Sequence, residues 1–337
     1  MRCALALAVL LPIAAACSDA PEATTTTTTT PQAATTTTTT AAVPEALTID
    51  ELVSLGRPIV LAHTGGEDEF PASTPFAFAR SMEAGVDMLD LNVLLSKDGV
   101  LVVQHDDTVD RSTNGTGAVA DLTYAELHEL DNAYWFTAEC VCAGKPDADY
   151  IYRGMRTGDR PPPAGFTAED FVIPRLRDVV AAHPTAPLGI EIKGEGDAAI
   201  ATARVLANEL RELDRLDAVV ISSFDDAALT AFHQLEPDVE LSPGLDALTG
   251  WVLQRTPVPD GMRILQLPPE YSGLQIITSE LVADSKAAGY LIWVWPNDRS
   301  LENLQSYLGF LEQGVDGLNI NFPATGVAAV EEFTASS

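Results

Sequence analysis

Two histidines in this 337-residue chain end short apolar runs and are followed by polar residues. His63 closes Ile59-Val60-Leu61-Ala62-His63 and precedes Thr64-Gly65-Gly66. His105 closes Leu101-Val102-Val103-Gln104-His105 and precedes Asp106-Asp107. Imidazole titrates near neutral pH, so two rings converging on one site could divide acid and base work. One histidine at a strand end is an ordinary structural residue; two at the same end of one fold favour function. His128, His183 and His233 fall in helical or turn contexts and receive no role. Oxygen donors recur with strand spacing as well. Asp90 and Asn92 share one face of the run 88–93, as do Glu191 and Lys193 in 188–193, because side chains on one strand face repeat every two residues. Carboxylates and an amide converging there suit a hard divalent cation, Mg²⁺ or Ca²⁺, which takes oxygen ligands. A buried polar network that holds the fold together is the equal alternative on pattern alone.

Such residues need a scaffold that brings separate strands to one mouth. Apolar runs occur at 59–63, 88–93, 101–105, 188–193, 218–224, 239–245, 264–268, 291–295 and 317–321. Amphipathic stretches at 76–84, 198–213, 225–234, 278–289 and 301–313 separate several of them. Strands divided by helices imply a parallel sheet with both faces covered, and right-handed crossovers leave a barrel or an open doubly wound sheet. No Gly-rich dinucleotide fingerprint follows the first run. Polar residues instead collect at the C-terminal ends of the runs: His63, His105, Glu191 with Lys193, Ser222 with Ser223, Asn319 with Asn321. That is where active sites sit in a (β/α) barrel. The expectation is a single α/β domain, a (β/α)8 TIM-type barrel, over 48–337. Nine runs are one more than such a barrel needs, so one must lie outside it. The stretch from about 134 to 172 carries Cys140, Cys142 and Pro161-Pro162-Pro163. It is too long for an ordinary βα loop and reads as an insertion, either a functional lid or a structural elaboration.

The hydrophobic share is 46%, enough for a substantial core, while 19 basic residues against 49 acidic give a net charge of −30. So negative a chain argues against nucleic acid and against charge-driven binding to anionic headgroups. Phosphate chemistry here needs a local positive charge, such as a metal ion or a Lys. Residues 1–17 read as an export signal: Arg2, an apolar run too short to span a membrane, then Ala14-Ala15-Ala16-Cys17. This resembles a bacterial lipoprotein signal with Cys17 as the acylated mature N-terminus; plain secretion after cleavage near Ala16 is the alternative. Residues 18–47, with Thr runs at 24–30 and 35–40, form a polar tether without a core to build. The expected location is therefore the bacterial cell envelope, with the chain held at the membrane by a lipid on Cys17. Cys140 and Cys142 are open to a small disulfide or to two free thiols, and no zinc spacing is present.

Longer motifs add a resemblance. His63-Thr64-Gly65-Gly66, Pro71-Ala72-Ser73-Thr74, Phe76-Ala77-Phe78 and Glu83-Ala84-Gly85-Val86-Asp87 are similar to the opening of the glycerophosphodiester phosphodiesterase family. The block from Ser96-Lys97-Asp98-Gly99 through His105-Asp106 to Asp110-Arg111-Ser112-Thr113-Asn114-Gly115-Thr116-Gly117 is similar to its most specific signature. Glu191-Ile192-Lys193, Ser222-Ser223-Phe224, Trp293-Val294-Trp295 and Gly314-Val315-Asp316-Gly317 extend the match to the end. The resemblance implies a (β/α)8 barrel that hydrolyses glycerophosphodiesters, small phosphodiester substrates, to an alcohol and glycerol 3-phosphate. It implies His63 and His105 as acid and base, exchanging roles while a cyclic phosphate forms and opens. It further implies Glu191 on a divalent metal and Lys193 near the phosphate.

The same motifs depart from the family at charged positions. Thr64 stands where the family carries Arg, a bidentate phosphate partner. Ala72 stands for a ligand Glu, and Asp90-Leu91-Asn92 for Glu-x-Asp, so four ligand carboxylates become two. The expected metal set is Asp90, Asn92 and Glu191, with Glu69 on the Glu67-Asp68-Glu69 run supplying the charge that Ala72 cannot. The alternative for that run is a solvated loop. For the chain as a whole, the alternative is a catalytically degenerate barrel serving as a binding or structural envelope lipoprotein.

Overall fold

The computed structural model describes residues 45–336. The signal at 1–17, the anchor residue Cys17 and nearly all of the tether at 18–47 lie outside the described residues. One sheet of nine strands builds the body. In chain order these are β1 (Ile59–Ala62), β2 (Met88–Leu95), β3 (Leu101–Val103), β4 (Leu188–Ile192), β5 (Val219–Ser223), β6 (Glu240–Leu241) and β7 (Ile264–Leu267). A separate hairpin pairs β8 (Glu270–Tyr271) with β9 (Leu274–Gln275), and β10 (Leu291–Val294) and β11 (Gly317–Ile320) complete the sheet. Eight strands run parallel in the order β6-β5-β4-β2-β1-β11-β10-β7. No ladder joins β6 to β7 among the described residues, so the barrel is nearly closed.

The ninth run is the one outside. β3 pairs antiparallel with the far end of β2, Val93 opposite Val103, and forms no ladder with another barrel strand among the described residues. β2 has eight residues, long enough to serve β1 and β4 with its first part and β3 with its last. A turn at Ser96–Gly99 folds the chain back, with Gly99 N donating to Ser96 O. The run expected at 239–245 is cut to two strand residues. Pro243 has no N–H to give a ladder, and Gly244 already caps the next helix.

Helices cover the barrel as expected at α2 (Pro75–Ala84), α5 (Gly196–Glu212), α6 (Asp226–His233), α8 (Ser279–Ala287) and α9 (Leu304–Gln313). Those not foreseen are α1 (Ile49–Val53), α3 (Tyr124–His128), α4 (Leu176–Ala182), α7 (Leu245–Gln254) and α10 (Pro323–Ser336). Short α1 is fixed by a capping box between Thr48 and Glu51. Its Ile49 and Leu52 pack on Ile59, Met88, Val220 and Ile264, near the starts of four strands, and so plug the N-terminal end of the barrel. The opposite, C-terminal mouth is left for polar side chains.

The insertion is folded rather than loose. Phe76 of α2 stacks on Phe171 and meets Phe166 and Tyr152 edge-on or tilted. The Arg153 guanidinium lies over the rings of Tyr150 and Tyr134, at 3.5 and 4.3 Å from their centroids. Cys140 and Cys142 form a disulfide, and Cys140 with Val141 makes one wall of the mouth. No helix among the described residues is long and apolar enough to cross a membrane.

Candidate active site

His63 follows β1 directly and opens a tight turn, His63–Gly65, whose central Thr64 is left-handed. That turn must press against α2 and the start of α10. A Cβ on Gly65 would fall 2.9 Å from the Ala77 Cβ, and one on Gly66 would overlap the Pro323 ring; both glycines also hold positive φ. His105 reaches the same mouth by a different route. It lies just beyond β3, brought down from the β2–β3 turn, where Gln104 N donates to Asn92 O at 3.0 Å. The two rings meet edge to face, centroids 5.8 Å apart, close enough for one phosphoryl group to touch both.

Each ring is oriented through Nδ1. Asn321, one residue past β11, donates from Nδ2 to Asp68 Oδ2 at 3.1 Å, since a carboxylate only accepts. Its Oδ1 therefore faces His63 and accepts from Nδ1–H at 2.8 Å. His105 Nδ1–H donates to Asp106 Oδ1 at 2.6 Å, and Arg111 holds that carboxylate through Nε at 2.5 Å and Nη2 at 3.1 Å. On both rings Nε2 is left as the nitrogen that can take or give a proton. Burial pulls the His63 imidazolium pKa down, but the charges of Glu67, Asp90 and Glu302 and the Asn321 bond outweigh it, and the net shift is upward. Burial pushes against Asp106 too, yet the His105 and Arg111 bonds hold its carboxyl well below the usual range.

Asn321 should act as a positioning residue for His63. Asn321→Ala is expected to lower kcat on the order of 10- to 100-fold, the range found for partners that orient metal-bound imidazoles, with KM nearly constant. Steady-state kinetics check it: a rise in KM with kcat intact would make Asn321 a substrate contact instead. Behind Asn321, the Glu302 carboxylate accepts from Tyr307 OH and from Asn321 N. Burial lifts the Glu302 pKa from 4.5 to about 7 against the opposing pull of those bonds. A raised acid is protonated in the fold before it is in the unfolded chain. Its stabilisation is full below the unfolded pKa and is lost as pH rises through about 7. That loss is roughly 3 kcal/mol. Glu302→Gln should therefore flatten the fall in urea stability between acid and mildly alkaline pH; equal slopes in both proteins would refute the assignment.

A second cluster sits beside His63. Asp90 on β2 is buried and faces Gly189 on β4, where a Cβ would fall 2.8 Å from Asp90 Oδ1. Glycine there makes room for the carboxylate. Burial, with the Glu191 charge adding to it, lifts the Asp90 pKa to about 6 while His63, Asn319 and Lys193 oppose. Glu191 Oε2 accepts from Asn92 Nδ2 at 3.0 Å and from Lys193 Nζ at 2.9 Å. Asn92 Oδ1, Glu191 Oε1 and Asn319 Oδ1 are buried acceptors without a hydrogen-bond partner. Three orphaned oxygens beside a buried carboxylate fit a hard cation in donor type. Among the described residues, no three His, Cys, Asp or Glu side chains are grouped to hold a metal, so any such site leans on amide oxygens.

Glu69 requires a correction: the structure does not bring it to this cluster. Residues 66–70 form a turn, with Phe70 N donating to Gly66 O, so successive side chains point in different directions. Glu67 and Asp68 line the mouth, whereas Glu69 Oε2 accepts from Ala324 N at the start of α10, at 3.4 Å. Thr64 is fully buried in a left-handed conformation and does not reach the mouth. Positive charge comes instead from Lys193, Arg111 and Arg299, the last paired with Asp68 at 3.2 Å. In sequence Arg111 carries no assigned role and Arg299 no motif; the second opens a short 3-10 helix, Arg299–Leu301, after β10. These groups line one open cleft of about 890 Å³.

Known proteins resemble this chain in sequence and in fold. The profile of the glycerophosphoryl diester phosphodiesterase family matches residues 63–325. The chain is 30% identical to the glycerophosphodiester phosphodiesterase of Caldanaerobacter subterraneus over 277 residues, 82% of this chain and 99% of that one. It is 27% identical to that of Bacillus altitudinis over 280 residues, 81% and 98% of the two chains. In fold it is similar to a phosphodiesterase of Oleispira antarctica solved with the product sn-glycerol-3-phosphate, TM-score 0.62 at 21% identity, covering 82% of this chain and 97% of that one. A Mycobacterium tuberculosis glycerophosphoryl diester phosphodiesterase domain gives TM-score 0.63 at 18% identity, with 82% and 99% covered.

Proposed function

The chain belongs to the glycerophosphoryl diester phosphodiesterase family, and we propose that it hydrolyses glycerophosphodiesters to an alcohol and glycerol 3-phosphate, with His63 and His105 passing the protons. The observation that carries this reading is the ring pair itself: two imidazoles 5.8 Å apart, each tied at Nδ1 and free at Nε2. One Nε2 takes the proton of the attacking hydroxyl while the other gives a proton to the departing alcohol oxygen, and the roles reverse to restore the site. Lys193, Arg111 and Arg299 lie in the same cleft and offset the phosphate charge. Asp90, Asn92 and Glu191 would hold a divalent cation, Mg²⁺ or Ca²⁺, whose charge would further neutralise the phosphoryl oxygens. A degenerate binding barrel has no use for two imidazoles so oriented.

The deciding experiment follows release of choline and sn-glycerol 3-phosphate from glycerophosphocholine, with chelator and then with Mg²⁺, Ca²⁺, Mn²⁺ or Zn²⁺ added singly. Turnover restored by a cation supports the reading; none under any condition removes it. Export belongs to the same proposal: Cys17 carries a lipid and holds the catalytic barrel at the envelope. Cys17→Ser is expected to move the protein from the membrane fraction to the soluble one, and an unchanged distribution on fractionation would count against the anchor.

A further inference from the structure

Of the three consecutive acidic residues on the turn after β1, Glu69 is turned to Ala324 and Glu67 lies 4.0 Å from Arg111. Asp68 is left, and neither the proton transfer nor the charge offset described above uses it. Its side chain is only 9% exposed, yet it meets partners from distant parts of the chain. Oδ2 accepts from Asn321 Nδ2 at 3.1 Å. Oδ1 lies 3.2 Å from Arg299 Nη2, which also donates to Ala138 O in the insertion at 3.0 Å. The fold builds this placement in. Gly66 approaches Pro323 so closely that a Cβ would overlap its ring, and so the 66–70 turn lies alongside Asn321, two residues before that proline. The Asn321 backbone is fixed as well, its N donating to Glu302 Oε2 at 3.0 Å. Burial raises the Asp68 pKa, while the Asn321 bond and the Arg299 charge pull it down. Arg299 thus favours the ionised form.

We propose that Asp68 is a positioning residue that fixes the proton of neutral His63 on Nδ1, acting through Asn321. This rests on the phosphodiesterase reading above and adds a residue to it. An ionised carboxylate has no proton to give, so it can face only the NH2 end of the Asn321 amide. The amide is planar, and holding its NH2 end on Asp68 leaves Oδ1 toward His63, where it accepts at 2.8 Å. A ring that donates from Nδ1 keeps its lone pair on Nε2, the nitrogen left to take a proton. Asn321 alone sets nothing, because its two ends are alike in size and shape. Turned over, it would donate to Nδ1 and leave the ring proton on Nε2, where it blocks the base. His105 needs no such link, since Asp106 accepts from its Nδ1 directly. For His63 the charge stands one residue further off and is paired with Arg299. The pair is neutral in sum, so it selects the tautomer without adding net negative charge to a cleft that must take an anion.

Asp68→Asn provides the test. The new side chain keeps the shape, but the Arg299 cation claims its one oxygen, and its NH2 end then faces Asn321. The Asn321 amide must turn over, and His63 must carry its proton on Nε2. Long-range proton–nitrogen spectra of 15N-histidine-labelled protein read the tautomer without turnover. Neutral His63 should be protonated on Nδ1 in the unmutated protein and on Nε2 in the Asp68→Asn protein. With metal supplied, kcat for glycerophosphocholine should fall about 10- to 100-fold. That is short of the roughly 10⁴-fold cost of a wrong tautomer where the orienting carboxylate touches the ring itself. KM should hold or drop, because a negative charge has left the cleft. Adding Arg299→Met frees the introduced oxygen for Asn321 and should return the proton to Nδ1. A merely structural Asp68 would change stability and leave the tautomer alone. Three results would overturn the inference and leave the phosphodiesterase reading standing: His63 protonated on Nε2 in the unmutated protein, tautomer or kcat unmoved by Asp68→Asn in an active protein, or a proton that stays on Nε2 in the double variant. A tautomer that inverts and returns as expected, in a protein without turnover under any condition, would uphold the placement of the proton and remove that reading.

Discussion

His63→Ala and His105→Ala should each lower kcat for glycerophosphocholine by about 10²–10⁴, the range for a positioned acid or base. The double variant should fall little further than the worse single one, because groups that hand on one proton fail as a unit. The argument rests on geometry before titration. Both rings are locked by an acceptor at Nδ1, and they lie within one phosphoryl group of each other. The locks differ in kind, an amide behind His63 and a carboxylate held by Arg111 behind His105. Removing either ring should therefore change the pH profile as well as the rate, with one limb of a bell lost in each variant. Stopped assays across pH provide the check. Single variants that keep more than about a tenth of wild-type kcat would sink the two-histidine scheme, whatever the family.

Much of this site was legible because strands obey a period of two and barrels place chemistry at strand ends. His63, Asp90, Glu191, Lys193 and Asn321 all reach one mouth for that reason, while Asn92 is fully buried and donates to Glu191. His105 was found by the same pattern although β3 is not a barrel strand. The hairpin that delivers it depends on the length of β2, which the run 88–93 understates. What stayed hidden depends on loop direction and on contacts between distant residues. The turn at 66–70 decides that Glu67 faces the cleft and Glu69 does not, and nothing in three consecutive acidic residues reports that choice. Arg299 meets Asp68 across most of the chain. Helix α7 begins at Leu245, where the apolar run 239–245 ends, so the strand pattern of that run carries no sign of it.

Asn92→Asp is expected to couple stability to metal more strongly than any other single change. Asn92 is fully buried; its Nδ2 donates to Glu191 Oε2 while its Oδ1 has no partner. A carboxylate there removes the donor and sets a like charge against Glu191, with Asp90 near by. Without metal, leaving a buried charge uncompensated costs about 3–5 kcal/mol, less whatever protonation relieves. At about 2–4 °C per kcal/mol for a domain near this size, Tm should drop by roughly 5–15 °C. With metal the sign reverses. Three carboxylates around the orphaned oxygens of Glu191 and Asn319 raise the negative charge a hard cation meets. Millimolar Mg²⁺ or Ca²⁺ should then recover the lost Tm by mass action on the folded state. Calorimetric affinity should rise about tenfold or more, the scale set by ligand charge count. Glu191→Gln should move affinity the opposite way, and Glu69→Ala should leave it unchanged, since that carboxylate is turned toward Ala324. Thermal scans and titrations of the three variants decide the matter. If the Asn92→Asp protein melts low and stays low in excess metal, Asn92 is a hydrogen-bond donor in a polar network and no cation is held there.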